Sequence, residues 1–321
     1  MTDFKFNARS AVDAAISDFA ADTALPETAR TGRIARGVGG NYYVLLGKEE
    51  YACAARGLFR KQGIEPLVGD FVELINIDDA KKTAFINAIL PRKNSLVRPK
   101  ASNIDIVAIV CAVSPRPNFD LIDAMLITCE IQSLKAIIVI NKIDMLDCEI
   151  SNSDINLLKG YETAGYQVVS VSAKESMNLE DLRMHFYGGV NILAGASGVG
   201  KSSIINALYP GVNLEIGELS TKIARGKHTT RTTQLIPLCD SDNCGFIVDS
   251  PGFSSLNIDN IPKSELQNYY REFLEYKENC YYVNCLHISE HDCAVKEQLG
   301  INIDYGRYER YIRYVTKDAA R

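Results

Sequence analysis

The sequence contains no apolar run that approaches the roughly 20 residues needed to span a membrane. Its N-terminus also lacks the basic start and apolar core of a signal peptide. We therefore expect a cytoplasmic protein with no membrane partner. Hydrophobic residues make up 46% of the 321 residues and charged residues 23%, which is typical of a soluble globular protein with two or three domains.

There is no overall excess of positive charge, since the formal net charge is −5. This balance argues against a chain that binds nucleic acid over its whole surface. Local composition differs, because residues 31–100 carry 12 Lys and Arg against 7 Asp and Glu, and the last fifteen residues are also basic. These two regions are either local contacts for phosphate backbones or ordinary solvated surfaces.

Disulfides are not expected without an export signal. The nine cysteines are scattered, except for Cys280, Cys285 and Cys293. Together with His287, these thiolates suit tetrahedral Zn²⁺. His291 is the competing nitrogen ligand, and unliganded buried cysteines are the alternative interpretation. Four protein ligands leave no open position, so we expect one structural zinc ion per chain.

The pattern of predicted elements divides the chain into four segments. Residues 1–30 are an Ala-rich N-terminal arm, and residues 31–98 contain short strands with glycines at the bends, which favours an OB-type β-barrel. Residues 99–256 alternate buried strands with helices, which predicts a mostly parallel α/β sheet. Residues 257–321 are predicted to be a helical zinc-binding domain, with helical patterns up to residue 277 and from 305 to 321.

Most strands and two helices can be placed individually. The sequence predicts strands over 41–46, 50–55, 70–75, 83–89, 104–110, 134–140, 168–172, 190–194 and 245–249, and helices over 119–130 and 203–208. Within the barrel segment, the candidates for oligonucleotide contacts are Tyr42, Tyr43, Arg56, Phe59, Arg60 and Lys61. We expect most of the aromatic members of this set to lie in the barrel core rather than to stack on bases.

A segment that begins at Gly195 fits the pattern G-x-x-x-x-G-K-[ST] between a predicted strand and a predicted helix. Its backbone N–H groups and the helix N-terminus would surround a phosphate chain. Lys201 would reach the β- and γ-phosphates, and the Ser202 hydroxyl would ligate Mg²⁺. The predicted nucleotide-binding loop consists of Gly195, Ala196, Ser197, Gly198, Val199, Gly200, Lys201, Ser202 and Ser203. These residues predict binding of a nucleoside triphosphate with Mg²⁺.

Residues 141–144, with the sequence Asn-Lys-Ile-Asp, follow the second predicted strand of the α/β sheet. The Asp144 carboxylate can accept hydrogen bonds from guanine N1–H and the exocyclic amine, a donor pair that adenine lacks. Asn141 would contact the purine edge and tie this loop to the phosphate-binding loop. The Lys142 stem would cover the base face. This loop predicts GTP as the nucleotide, with ATP as the alternative.

A second base-reading loop follows the third strand and consists of Ser172, Ala173 and Lys174. The Ala173 N–H could donate to guanine O6. After the last predicted strand, Asp249 would hold Mg²⁺ through water, and the Gly252 N–H could bind the γ-phosphate. The latter loop would therefore sense whether the γ-phosphate is present.

The polar stretch 225–231 suits a mobile switch, in which Thr230, or alternatively Thr229, would complete the Mg²⁺ shell. Phe253 follows the γ-phosphate loop at the position where Ras-like GTPases carry a water-orienting Gln. A phenyl ring cannot orient water, so intrinsic hydrolysis should be slow or should depend on another group. Our candidate is His228, which is otherwise a surface residue. Lys201 and His228 are thus the predicted catalytic residues.

The motifs stand in a circularly permuted order, because the base-reading loops precede the phosphate-binding loop. In this order the γ-phosphate loop runs directly into the C-terminal region, so loss of the phosphate could move that region. With these motifs the chain resembles the circularly permuted GTPases of the bacterial small ribosomal subunit, the RsgA or YjeQ family, over residues 31–321. The resemblance rests on segments 141–144, 172–174, 195–203, 228–230 and 249–253 and on Cys280, Cys285, His287 and Cys293.

The resemblance implies an N-terminal OB domain, a central GTPase and a C-terminal zinc domain. It also implies slow GTP hydrolysis that the small ribosomal subunit stimulates, and a role in late maturation of that subunit. The implied partners are GTP, GDP, the subunit and its rRNA, and we expect a monomer. His291-Asp292 departs from the family pattern, which usually has proline first. The alternative function is a GTP-gated ribosome- or RNA-binding module in which hydrolysis is incidental.

Overall fold

The computed structural model describes residues 29–55, 59, 63–97, 99–145, 152–212, 233–238, 245–249 and 261–316. The predicted N-terminal arm, except for its last two residues, therefore lies outside the described residues, and so do Arg56, Arg60 and Lys61. Within the described ranges, no helix has both the length and the apolar character needed to cross a membrane.

Five strands near the N-terminus close into a barrel. They are β1 (Arg30–Val38), β2 (Asn41–Leu46), β3 (Glu49–Ala55), β4 (Phe71–Asp78) and β5 (Thr83–Ile89). Their order around the barrel is β1-β2-β3-β5-β4, and β4 pairs with β1 again. The β3–β5 pair is parallel and the other pairs are antiparallel. The predicted OB-type barrel is therefore confirmed.

The barrel core forms because alternate side chains of each strand point inward. In β3, for example, Tyr51 and Cys53 are buried between exposed neighbours. Phe59 is also buried in this core, and Tyr42 packs against it. Tyr43 lies beneath the Arg36 guanidinium, 3.6 Å from the ring centroid. Two of the three candidate base-stacking aromatics thus contribute to packing of the barrel interior.

The barrel leads into the α/β sheet through a short hairpin of β6 (Ser95–Leu96) and β7 (Ala101–Ser102). The fully buried Asp70 side chain fixes this connection, since it accepts hydrogen bonds from Arg92 Nε at 2.7 Å and Ser102 Oγ at 2.6 Å. A buried carboxylate is tolerated when it has charged and hydrogen-bonding partners such as these.

Six strands form the α/β sheet, in the order β10-β9-β8-β11-β13-β12. They are β8 (Ile106–Ala112), β9 (Ala136–Asn141), β10 (Gln167–Ser170), β11 (Val190–Ala194), β12 (Gln234–Pro237) and β13 (Phe246–Asp249). All are parallel except β12, which runs antiparallel to β13. Every residue of β8 and β9 is buried, as expected for parallel strands covered on both faces.

Helices cover both faces of this sheet. The helices α1 (Phe119–Ile131) and α2 (Asn152–Thr163) contribute Met125, Leu126 and Tyr161 to the core on one face. The helices α3 (Leu179–Phe186) and α4 (Lys201–Leu208) pack on the other.

The barrel and the α/β sheet meet at one strand pair. Arg36 of β1 is paired with Gln234 of β12, which joins the two into a continuous sheet of 11 strands. Near this joint the Arg33 guanidinium lies 4.2 Å from the ring centroid of Phe71 and 5.3 Å from that of Phe246. Burial between the two domains lowers the pKa of Arg33 to about 10.

The C-terminal region is built from short helical pieces. They are α5 (Lys263–Leu266), α6 (Arg271–Leu274), α7 (Ala294–Glu297) and the longer α8 (Tyr305–Thr316), with 3-10 turns over Gln267–Tyr269 and Lys277–Asn279. Part of the predicted helical stretch before residue 277 is thus broken, because Tyr270 adopts an extended backbone conformation. Tyr270 is fully buried there and packs against Phe273 and Tyr311.

Buried ion pairs attach α8 to the α/β domain. Arg307 Nη1 donates to Asp123 Oδ1 of α1 at 2.6 Å, and Arg310 Nε donates to the other oxygen of the same carboxylate. Arg307 also pairs with Glu272 of α6. Two of the basic residues predicted as possible phosphate contacts are therefore buried structural partners, whereas Arg313 is exposed and pairs with Asp120.

Candidate nucleotide site and metal centre

The predicted nucleotide motifs meet at one edge of the α/β sheet, because they follow the carboxyl ends of parallel neighbours. Asn141 is opposite Ala112 at the end of β8, and Ala194 is opposite Ile109 on the same strand. The last residue of β10, Ser170, is level with Ile140 of β9. Ligands of open α/β sheets bind at this edge.

Glycine backbone geometry shapes the predicted phosphate-binding loop. Gly195, Gly198 and Gly200 have φ values of 135°, 79° and 95°. A Cβ atom at Gly195 would lie 2.1 Å from the Val110 carbonyl oxygen, and one at Gly200 would lie 2.3 Å from Asn141 Nδ2. Only glycine fits both the conformation and the space at these positions. At Gly198, in contrast, a Cβ atom would have no neighbour within 4 Å. Gly198 and Gly200 together form a backbone cradle before α4.

Lys201 begins α4 and lies across this loop. Its Nζ donates to the Gly195 carbonyl at 2.9 Å and to the Ala196 carbonyl at 2.7 Å. Burial lowers the pKa of Lys201. The adjacent Ser202 side chain is buried, and no side chain caps the N-terminus of α4. The loop therefore offers an ammonium group, a hydroxyl group and backbone donors to one region, which is the chemistry that a polyphosphate needs.

Asn141 links the two predicted base-reading loops to the predicted phosphate-binding loop. Its buried amide donates through Nδ2 to the Val199 carbonyl at 2.9 Å, and its Oδ1 accepts from the Ala173 N–H at 3.1 Å. The Ala173 N–H, which we predict to donate to guanine O6, thus has Asn141 as its partner here. Lys142 adds a second link, since its Nζ donates to the Gly198 carbonyl at 2.9 Å.

Asp144 is exposed at this edge of the sheet. The Ser172 hydroxyl donates to Asp144 Oδ1 at 2.5 Å and holds the pKa of this carboxyl below its usual range. The side chain is therefore kept ionised, which the predicted acceptance of two guanine donors requires. Lys174 is exposed and pairs with Glu175 at 3.1 Å.

Asp249 ends β13, the strand beside β11, from which the phosphate-binding loop emerges. Gln234 Nε2 donates to Asp249 Oδ2 at 3.2 Å. The Ser202 hydroxyl and the Asp249 carboxylate offer hard oxygen donors, which fit Mg²⁺ bound to a nucleotide. Sequence reasoning missed Gln234, because nothing in the sequence distinguishes it as a partner of Asp249. The other predicted switch and γ-phosphate residues, His228, Thr229, Thr230, Gly252 and Phe253, lie outside the described residues.

The structure brings the four predicted zinc ligands together. The ligand atoms of Cys280, Cys285, His287 and Cys293 all lie within 4.8 Å of one another. His287 Nδ1 is 3.3 Å from Cys293 Sγ and 3.6 Å from Cys280 Sγ. His291 is exposed and lies outside this cluster. Three thiols and one imidazole at these separations could hold a metal ion.

A residue outside the motif orients the histidine. His287 Nε2 is 2.7 Å from Gln267 Oε1, which can only accept, so Nε2 carries the proton and Nδ1 turns its lone pair toward the sulfur atoms. Burial raises the pKa of Cys293 to about 12 and also raises that of Cys285. A bound cation would offset this effect by favouring the thiolates. Sequence reasoning missed Gln267, which lies outside the Cys/His spacing.

Two family models match the chain. The model described as RsgA GTPase matches residues 89–259, and the RsgA N-terminal domain matches residues 31–86. A protein named small ribosomal subunit biogenesis GTPase RsgA, from Caldanaerobacter subterraneus subsp. tengcongensis, is 44% identical over 288 residues, which cover 89% of this chain and 93% of the relative. The protein of the same name from Alkaliphilus metalliredigens is 42% identical, with coverage of 88% and 96%.

Solved structures agree with these matches. The crystal structure of YjeQ from Thermotoga maritima superposes with a TM-score of 0.75 at 33% identity and covers 91% of this chain and 99% of that one. The structure of YloQ, described as a circularly permuted GTPase, superposes with a TM-score of 0.72 at 29% identity, with coverage of 93% and 98%. These likenesses confirm the predicted circularly permuted GTPase fold.

Proposed function

The chain belongs to the RsgA family of GTPases and is a GTP hydrolase, and on this premise we propose that it acts in late maturation of the small ribosomal subunit. Its relatives carry the name small ribosomal subunit biogenesis GTPase. We further propose that the subunit stimulates hydrolysis, that the protein works as a monomer in the cytoplasm, and that the rRNA of the subunit is its nucleic-acid partner.

The observation that carries the nucleotide part of this proposal is the Asn141 bridge. One buried side chain joins the phosphate-binding loop at Val199 to the second base-reading loop at Ala173. A site that reads base and phosphate together needs these loops in fixed relation, because the ribose links guanine to its phosphates and limits the distance between them. In this proposal the residues at 141–144 and 172–174 bind guanine, with Asp144 as the residue that rejects adenine.

Lys201 is the described residue that we assign to catalysis. Its Nζ now donates to two loop carbonyls at 2.7 and 2.9 Å, and a nucleotide would offer it β- and γ-phosphate oxygens instead. Mg²⁺, when bound with GTP, would neutralise charge on the phosphates. Ser202, Asp249 and Thr230 would hold that ion, and the Gly252 N–H would bind the γ-phosphate. We assign orientation of the attacking water to His228.

We propose a structural zinc ion in the C-terminal cluster. Cys280, Cys285, His287 and Cys293 supply four ligands, so no open position would remain for chemistry. The bond from His287 to Gln267 is the kind of outer contact that fixes a metal-bound imidazole. The ion would hold the loop from residue 280 to residue 293 in place beneath α8.

The test is GTP turnover by the purified protein alone, with small ribosomal subunits and with large subunits. We expect slow turnover alone and stimulation by small subunits only. His228→Ala should bind GTP normally and lose the stimulation. Co-sedimentation with each subunit, in the presence of a GTP analogue or GDP, reports docking separately. Docking that depends on GTP without any stimulation would favour the alternative, a binding module whose hydrolysis is incidental.

A further inference from the structure

We propose that Gln234 is a positioning residue for the magnesium site, whose side-chain amide sets the orientation of the Asp249 carboxylate. This inference rests on the proposed function, because it takes Asp249 as a residue that holds nucleotide-bound Mg²⁺. It adds a residue that lies outside every nucleotide motif of the sequence. It also places the first residue of β12 at the junction of the site with the barrel.

The register of the sheet brings the two side chains together. Gln234 and Asp249 are direct partners in the antiparallel pair of β12 and β13. Side chains of directly opposed residues project from the same face of a sheet, with Cβ atoms about 4.5–5.5 Å apart. The hydrogen bond from Gln234 Nε2 to Asp249 Oδ2, at 3.2 Å, spans this short separation.

The contact restricts the orientation of the carboxylate. The last torsion of a carboxylate side chain is broad, so an unsupported Asp249 would rotate over many orientations. A donor fixed on the neighbouring strand selects one of them. Hydrogen bonds from residues that do not themselves touch the metal raise metal affinity, because they hold the metal-binding side chain in the required orientation.

The neutrality of the donor also matters. A Lys or Arg opposite Asp249 would offset the negative charge that should attract Mg²⁺, whereas an amide donates a hydrogen bond and leaves the charge in place. On its other side, Gln234 is paired with Arg36 of β1. Arg36 Nη2 donates instead to Glu50 at 2.7 Å, and its guanidinium covers Tyr43, so its charge is compensated within the barrel.

The same residue links the magnesium site to the barrel. In the described part of the chain, the pair of Arg36 and Gln234 is the one register pair between β1 and the α/β sheet. A shift of the barrel that moved β12 would therefore change the distance between the Gln234 amide and Asp249.

The test replaces Gln234 by Met, which has nearly the same shape but cannot donate a hydrogen bond. Gln167→Met is the matched control, because Gln167 also begins a strand of this sheet and its amide contacts His185 instead. Binding of a fluorescent, non-hydrolysable GTP analogue is measured in EDTA and during a titration with Mg²⁺. These measurements report metal affinity without relying on turnover.

We expect Gln234→Met to raise the Mg²⁺ concentration at half-saturation by about tenfold, the lower end of the effect of losing an outer contact. Affinity for the analogue in EDTA should stay within about twofold of wild type, and the control should change neither quantity. Gln234→Leu, a second apolar variant, should behave in the same way if Met perturbs folding.

A Mg²⁺ requirement within twofold of wild type in both variants would overturn the inference. An equal loss of affinity in EDTA and in Mg²⁺ would also overturn it, because that result describes damage to the whole site. Failure of the wild-type protein to bind the analogue under either condition would instead refute the proposed function. The two failures are thus distinguishable in one experiment.

Discussion

Replacing Asp123 by Ala should destabilise the protein more than any comparable change on its surface. The Asp123 carboxylate is fully buried and accepts from both Arg307 and Arg310, whose side chains are 2% and 5% exposed. Removal of the carboxylate leaves Arg307 with Glu272 alone and leaves Arg310 without its carboxylate partner. Breaking a buried pair in this way costs about 3–5 kcal/mol of unfolding free energy, because a charge stays buried without compensation.

The same two helices contain a matched control. Asp120 of α1 pairs with Arg313 of α8 at 2.7 Å, but these side chains are 56% and 63% exposed. Exposed pairs contribute about 0–1 kcal/mol, so Asp120→Ala should cost little. Urea unfolding followed by far-ultraviolet circular dichroism measures both variants. Equal costs for the two substitutions, or a cost below about 1 kcal/mol for Asp123→Ala, would refute the reasoning from burial.

Three further predictions concern the two sites. Asp144→Asn should weaken GTP binding by about a hundredfold or more, because two hydrogen bonds to an ionised acceptor are lost. The variant should instead favour xanthosine triphosphate, whose C2 carbonyl can accept a hydrogen bond from the new amide. Competition binding with both nucleotides checks this. Ser172→Ala removes the donor that lowers the pKa of Asp144. As the pH is lowered from about 6 to 4, the carboxylate of the variant should therefore be protonated at a higher pH, and its GTP affinity should fall earlier than that of wild type. Identical pH profiles would contradict this expectation. Gln267→Ala should weaken zinc binding by about 10-fold or more, measured in competition with a chromophoric chelator. The control Gln298→Ala, which removes only an exposed contact with Asn302, should leave zinc binding unchanged.

The nucleotide loops were predictable because their sequence directly specifies their backbone. Gly195 and Gly200 have positive φ values and neighbours that leave no room for a Cβ, so the pattern of glycines is itself the structural requirement. The Cys/His cluster was predictable for a similar reason, since three thiols and an imidazole within 14 positions have few uses other than metal binding. In both cases the chemistry of the site restricts the residue types at fixed spacing.

Besides the two-residue strands β6 and β7, two strands of the 11-stranded sheet, β1 and β12, were not predicted, for physical reasons. The strand β1 contains three arginines, Arg30, Arg33 and Arg36, and two glycines, so its alternation of apolar residues is weak. The strand β12 is four residues long and ends in Pro237, a residue that strands tolerate only at edges or ends. Both strands form because neighbours on each side pair with them, and that information is distributed over distant parts of the chain.

The buried ion pairs were equally hidden from the sequence. Arg307 and Arg310 lie in a helix with the charge pattern of a solvated surface, and their partner Asp123 is 184 and 187 residues away. Only the packing of α8 on α1 shows that these charges are buried. Basic residues that could have contacted phosphates therefore hold the C-terminal region to the GTPase domain instead.

This attachment limits how the nucleotide state can reach the C-terminal region. The motif order predicts that loss of the γ-phosphate could move that region. Sliding of α8 over α1 would separate Arg307 and Arg310 from Asp123, at a cost of about 3–5 kcal/mol for an uncompensated buried charge. A displacement driven by the nucleotide must therefore carry α1 with it. The barrel, in contrast, is joined to the sheet through the pair of Arg36 and Gln234, next to Asp249.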